Sequence, residues 1–162
     1  MASSFWQTDD PRSIGSSNGL SAIRFTGLRP APPAPLPRTV KAIIVDDSKA
    51  MRMIIKRIVT ELGYTTIEAG NGQEAIEVLK SAGPVDLALV DWNMPVMNGY
   101  EFVCEVRKQA ERKDMRILMV TTETDVSNVQ RALEAGASEY LMKPFTKDGI
   151  ADKLAILGLT AA

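Results

Sequence analysis

The sequence contains no histidine. Without imidazole the chain lacks the commonest general base and the commonest nitrogen ligand for a metal, and it cannot carry a phosphohistidine of its own. A single cysteine, Cys104, excludes an intrachain disulfide framework and fits a reducing cytoplasm. It falls on a helix-like stretch from Tyr100 to Lys108 and reads as a small packing residue rather than a reactive thiol. No apolar run approaches the roughly 18 residues needed to span a bilayer. Charge of one sign is not in excess: 19 basic against 20 acidic side chains give a net of −1, and no electrostatic case for nucleic acid or a membrane surface. A Gly-x-x-x-x-Gly-Lys-Ser/Thr phosphate loop is also missing; Gly70-Asn71-Gly72 is a turn signal only. If phosphate chemistry takes place here, another molecule brings the phosphate.

What is present suffices for one ordinary domain with a core: 162 residues, 45% hydrophobic and 24% charged. Residues 1–38 differ from the rest. They hold six of the nine prolines, including Ala31-Pro32-Pro33-Ala34-Pro35-Leu36-Pro37, and a net charge of +2 that leaves −3 for 39–162. Proline at this density favours an extended, solvated chain. Residues 1–38 are therefore expected to form a disordered tail with a stiff spacer, followed by one domain over 39–162. No continuous apolar core follows a basic start, so a secretory signal is not expected. Phe5, Trp6 and Phe25 would anchor any contact the tail makes.

From Val40 the pattern alternates. Lys41–Val45 predicts a strand. Ser48–Leu62 predicts a helix with Met51, Ile54, Ile55, Ile58 and Leu62 inward, ended by Gly63. Thr65–Ala69 is the second strand, and the turn at Gly70-Asn71-Gly72 opens a helix carrying Ala75, Ile76 and Leu79. Leu87–Asp91, Arg116–Thr121 and Glu139–Met142 predict the remaining strands. Gly99–Gln109, Val126–Ala135 and Lys147–Leu157 predict the remaining helices. Five strands alternating with five helices in about 120 residues imply an α/β, doubly wound parallel sheet. The expected strand order is 2-1-3-4-5, with its switch point between the first and third strands.

Ligands of such sheets bind beyond the carboxyl ends of the strands. The residues at those ends are Asp46-Asp47, Asp91, Thr121 and Lys143. Three carboxylates in one crevice repel one another unless a cation offsets them. Lys143 alone leaves the cluster negative, and a hard divalent ion, Mg²⁺ above all, suits carboxylates and carbonyls. A carboxylate beside such an ion can act as a nucleophile toward a phosphoryl group, with the Lys143 ammonium and the Thr121 hydroxyl around the transferring oxygens. Each piece also has a local use: Asp-Asp-Ser as a helix cap, Asp91-Trp92-Asn93-Met94-Pro95 as a loop, Lys143-Pro144 as a turn. Their occurrence together, at successive strand ends, is what points to a site.

At Val45-Asp46-Asp47-Ser48, Asp91-Trp92-Asn93-Met94-Pro95, Leu118-Met119-Val120-Thr121-Thr122-Glu123 and Gly136 through Phe145, the chain closely resembles the receiver (response-regulator) family of two-component signalling. The likeness runs from about Val40 to Leu159, and Trp92 to Pro95 with Thr121 to Glu123 point to its chemotaxis branch. The resemblance implies a flavodoxin-like fold and a cytoplasmic phosphoacceptor rather than an enzyme. In that reading a histidine kinase phosphorylates Asp91; Asp47 and the Asn93 carbonyl hold Mg²⁺, with Asp46 acting mainly through metal-bound water. Lys143 contacts the phosphoryl group and precedes a cis bond to Pro144. Thr121 and Tyr140 form the switch, and Glu123 matches a residue that answers to a phosphatase. Implied partners are the kinase, a target such as a flagellar switch protein or a phosphotransfer protein, and a phosphatase; nucleic acid and membrane are not among them. Three departures stand out. Asn98-Gly99 replaces the family's Asp-Gly and is expected to form a left-handed turn. Thr122 stands where chemotaxis regulators often carry Ala. Asp125 and Val126 stand where flagellar-motor regulators carry lysines.

Three other functions compete with a chemotaxis regulator. A phosphorelay carrier or phosphate sink would use the same site. An aspartate-nucleophile phosphohydrolase of the haloacid-dehalogenase type needs Asp-x-Asp after the first strand; here the run is Asp46-Asp47-Ser48, and Asn93, two residues after Asp91, cannot be a general acid. A receiver that binds partners without phosphorylation would not need the complete set of site residues found here.

Overall fold

The computed structural model describes residues 38–159. The segment read as a disordered tail therefore lies, apart from Arg38, outside the described residues. Five strands alternate with five helices: β1 (Lys41–Val45), α1 (Lys49–Glu61), β2 (Thr65–Ala69), α2 (Gly72–Ser81), β3 (Leu87–Val90), α3 (Gly99–Arg107), β4 (Arg116–Thr121), α4 (Val126–Ala135), β5 (Glu139–Met142) and α5 (Lys147–Ile156). All strand pairs are parallel and the order is β2-β1-β3-β4-β5. The expected fold class is the observed one.

Successive strand side chains point to opposite faces, so each buried strand feeds two cores. Ile43, Val45, Ala88, Val90, Ile117 and Met119 meet α2, α3 and α4 around Phe102 and Val106. On the other face Ala42, Ile44, Leu89 and Leu118 meet Ile55 and Val59 of α1 and Ile150 and Leu154 of α5. The chain steps from β1 to β2 in one direction and from β2 to β3 in the other. Right-handed crossovers then place α1 and α2 on opposite faces and open a crevice above β1 and β3.

Polar residues at the strand-to-helix turns satisfy the free amides of each helix start. Ser48, Asn71, Asp125 and Thr146 cap α1, α2, α4 and α5, and Asn98 with Glu101 forms a capping box on α3. Gly63, at φ 94°, follows α1 as expected, and Gly136, at φ 117°, ends α4.

Four expectations need correction. Ile54 is 50% exposed while Val59 is fully buried, because the four-residue spacing Met51-Ile55-Val59 carries the core and Ile54 sits about 100° round the helix from Ile55. The third strand stops at Val90, so Asp91 is the first residue outside it. The third helix ends at Arg107, and a 3-10 turn (Ala110–Arg112) follows. The left-handed residue of the loop after β3 is Val96, at φ 69°, whereas Asn98 is extended and caps α3.

Gly99 matters for space rather than handedness. A Cβ there would lie 2.3 Å from the Asp91 carbonyl oxygen and 2.9 Å from the Met119 Cε. The start of α3 thus rests directly on the backbone of Asp91. Gly99→Ala is expected to lower stability by about 1–3 kcal/mol through overpacking, measured by urea unfolding.

Candidate functional site

Sheet hydrogen bonding runs one residue past the strand ends. Asp46 N–H donates to the Ala69 carbonyl at 3.2 Å, Asp91 N–H to the Val45 carbonyl at 2.9 Å, and Lys143 N–H to the Thr121 carbonyl at 2.9 Å. Asp46 and Asp91 are therefore held side by side at the top of adjacent strands. One carboxylate oxygen from each of Asp46, Asp47 and Asp91 lies within 4.8 Å of the others.

Asp46 is almost fully buried, and each of its polar atoms has a partner. Its Oδ1 accepts the Ser48 N–H at 2.8 Å, its Oδ2 accepts the Lys143 Nζ at 2.8 Å, and its carbonyl accepts Arg52 Nη1 at 2.6 Å. Asp91 is 8% exposed; its Oδ1 accepts the Trp92 N–H at 2.8 Å and its Oδ2 stands 3.5 Å from Lys143 Nζ. Asp47 is exposed and has no hydrogen-bond partner among the described residues. The triad thus has a closed back and an open front. Burial pushes the Asp91 carboxyl above its ordinary range; Lys143, the Thr121 hydroxyl and the Trp92 N–H pull it back, and Asp46 adds to the rise.

The donor set is hard oxygen throughout, with no imidazole or thiolate near it, which fits Mg²⁺ or a similar cation and not a soft metal. The exposed Asp47 carboxylate leaves such an ion a route in from solvent.

The structure brings together Asp46, Asp47, Asp91, Lys143 and Thr121. Thr121 is fully buried, and its Oγ1 accepts the Glu123 N–H at 3.1 Å. Asn93 is exposed on the loop two residues beyond Asp91. Tyr140 is half-buried against the α2–α4 core, and its hydroxyl donates to the Glu123 carbonyl. The Glu123 carboxylate turns toward the start of α4, accepting the Asp125 N–H at 2.9 Å. The Lys143–Pro144 peptide is cis. Two contributors were missed from sequence: the Trp92 amide, which any residue but proline could supply there, and Arg52. The signal for Arg52 was its place one turn into a helix whose side chains slope back toward the N-terminus.

A doubly wound sheet with an acidic triad and an ammonium at its switch point defines a class: α/β domains built to hold a cation and an anionic group together. Comparison with known proteins narrows it. The model of the response regulator receiver domain matches residues 42–155. The chain is 45% identical over 116 residues to a chemotaxis protein CheY homolog of Campylobacter jejuni, covering 71% of this chain and 89% of that protein. It is 41% identical over 119 residues to chemotaxis protein CheY1 of Helicobacter pylori, covering 73% and 96%. The high-resolution structure of the chemotaxis response regulator CheY4 of Vibrio cholerae superposes with a TM-score of 0.69 at 35% identity, covering 74% of this chain and 99% of that one. The chain belongs to the response regulator receiver family.

The raised Asp91 pKa has a consequence for stability. Folding favours the protonated carboxyl, so this contribution is fully present below the unfolded value near 3.8 and is lost as pH rises through the higher folded value. Asp91→Asn, which removes the ionisation, is expected to melt above wild type at neutral pH in EDTA. The difference should close as the pH falls toward 4, as thermal melts across pH will show.

Proposed function

We propose that this chain is a phosphorylation-switched response regulator in which Asp91 accepts a phosphoryl group from a histidine kinase. The observation that carries this reading is the Lys143 ammonium set between Asp46 and Asp91, with the Asp47 carboxylate open beside them. An Asp91 oxygen attacks the phosphorus of a phosphohistidine; the new O–P bond forms as the N–P bond breaks, and the imidazole leaves on the kinase. Asp46, Asp47, Asp91 and the Asn93 carbonyl would hold Mg²⁺, which when bound supplies positive charge for the phosphoryl oxygens. Lys143 balances the dianion from the β5 side, and the Thr121 hydroxyl offers it a hydrogen bond.

Thr121 and Tyr140 form the readout. Thr121 sits beside Asp91 and also accepts the Glu123 amide, while the Tyr140 hydroxyl engages the Glu123 carbonyl. A phosphoryl group that draws on the Thr121 hydroxyl therefore acts on the same loop that holds Tyr140, and it biases a two-position element. The surface that changes is formed by α4, β5 and α5. Glu123 serves as the contact for a phosphatase.

The relatives are named chemotaxis proteins, which supports a role in chemotaxis; a cytoplasmic location and a flagellar switch protein as target belong to the same proposed reading. One observation weighs against the motor target and keeps a phosphotransfer protein as the second reading: Asp125 and Val126, at the head of α4, take the place of lysines found in flagellar-motor regulators, and Asp125 is committed to capping the helix. Among the described residues no helix is long and apolar enough to cross a membrane.

Acetyl phosphate with Mg²⁺ is expected to label wild type on the peptide containing residue 91, as read by mass spectrometry after borohydride reduction. Asp91→Asn should take no label, and label retained on that variant would overturn the assignment. Lys143→Ala should still be labelled, but phosphorylation should no longer change its affinity for a target protein. Equal phosphorylation-dependent binding by wild type and Lys143→Ala would remove Lys143 from the switch.

A further inference from the structure

Arg52 belongs to neither the acidic triad nor the switch, yet its guanidinium is aimed at the site from behind. It lies one turn into α1, where its N–H donates to the Ser48 carbonyl at 2.9 Å. Its side chain slopes back along the helix, as helical side chains do, and reaches the end of β1. There Nη1 donates to the Asp46 carbonyl at 2.6 Å. The side chain is only 19% exposed, and its Nε faces the Glu68 carboxylate at 3.5 Å. Glu68 is shared with Lys56 at 2.9 Å, so Arg52 is not held mainly as half of an ion pair. The Nε is buried and lacks a hydrogen bond of its own, so the short contact to Asp46 is the side chain's principal polar bond.

We infer that Arg52 is a positioning residue for the cation and phosphoryl site: it clamps the Asp46 carbonyl and thereby fixes the direction of the Asp46 carboxylate. The inference rests on the function proposed above. Asp46 leaves β1 with its N–H tied to Ala69 and its Oδ1 tied to Ser48. No strand or helix amide satisfies its carbonyl, and Arg52 does so instead. Without the clamp the peptide between Asp46 and Asp47 is free to rotate toward water, and that rotation moves both carboxylates of the pair.

Charge and positioning make opposite predictions here. As a mere positive charge near an acidic pocket, Arg52 opposes cation binding, and its removal tightens Mg²⁺. As a positioning group it supports binding, because outer partners of metal ligands typically change affinity by about 10–100-fold when removed. The test uses the full chain with Trp6→Phe, which leaves Trp92, beside Asp91, as the one tryptophan. Mg²⁺ titration followed by Trp92 emission is expected to show about tenfold weaker binding for Arg52→Met, and an intermediate loss for Arg52→Lys, which keeps the charge without the fork of donors. In metal-free protein, the Ser48 amide, which donates to Asp46, should exchange with deuterium faster in Arg52→Met than in wild type. Binding of Mg²⁺ by Arg52→Met as tight as wild type or tighter, or unchanged Ser48 exchange, would overturn the inference. If wild type binds no Mg²⁺, the function proposed above fails, and the metal-free exchange still decides the role of Arg52. Should Arg52→Met fail to fold, Arg52→Lys carries both readouts.

Discussion

Lys143 reaches from the end of β5 across β4 and sets its ammonium 2.8 Å from Asp46 and 3.5 Å from Asp91. The two carboxylates have side-chain exposures of only 2% and 10%, and without this cation they would lie together in a poorly solvated crevice. Such an arrangement is among the costliest in a folded protein, because each charge is stripped of water and repels its neighbour. Lys143 is itself 12% exposed, so its attraction to the acids is little screened. The upper edge of the sheet is thus organised around one contact that spans 97 residues of chain. The same ammonium, in the proposed function, is the group that meets the phosphoryl. A cation that stabilises the resting fold is also one that an arriving dianion can recruit.

The residues around this contact serve folding and chemistry together. Ser48 caps α1 through its side chain, and its amide orients the Asp46 carboxylate. Asn98 caps α3, and that placement lets Gly99 press against the backbone of Asp91. Thr121 closes β4 and stands beside Asp91. Residues that looked like plain caps or turns in the sequence, and residues that looked like site components, are the same residues. A strand-to-helix turn must provide polar groups to satisfy free amides, and those groups face the crevice where ligands bind.

Much of the architecture was legible because it is written in local patterns. The runs Ala42-Ile43-Ile44-Val45 and Leu87-Ala88-Leu89-Val90 are too apolar to face water on either side, so they had to be central strands. The order of strands followed from the alternation and from the handedness of crossovers. Less legible were features that depend on which of several equivalent residues wins a place. Ile54 and Val59 are both apolar residues of α1, and only the face that the helix turns to the sheet decides that Val59 is buried and Ile54 is not. Asn98-Gly99 has the chemistry of a left-handed turn, but capping α3 requires Asn98 to be extended, and the positive φ falls to Val96. Arg107 and Arg112 gave no sequence signal: the first donates to the carbonyls of Gly136, Met115 and Arg112, and the second, buried, to those of Gly83 and Leu79.

The sequence by itself determined which segments are strands, which helices lie on them and which polar residues stand at the strand exits, because hydrophobic period and cap chemistry act over a few residues. Tertiary structure decided the pairing among those polar residues: that Lys143 bonds Asp46 more closely than Asp91, that Asp47 stays open to solvent, and that Arg52 holds the Asp46 carbonyl. These outcomes turn on distances between groups far apart in the chain, and only the packed sheet, with its helices seated on both faces, sets those distances.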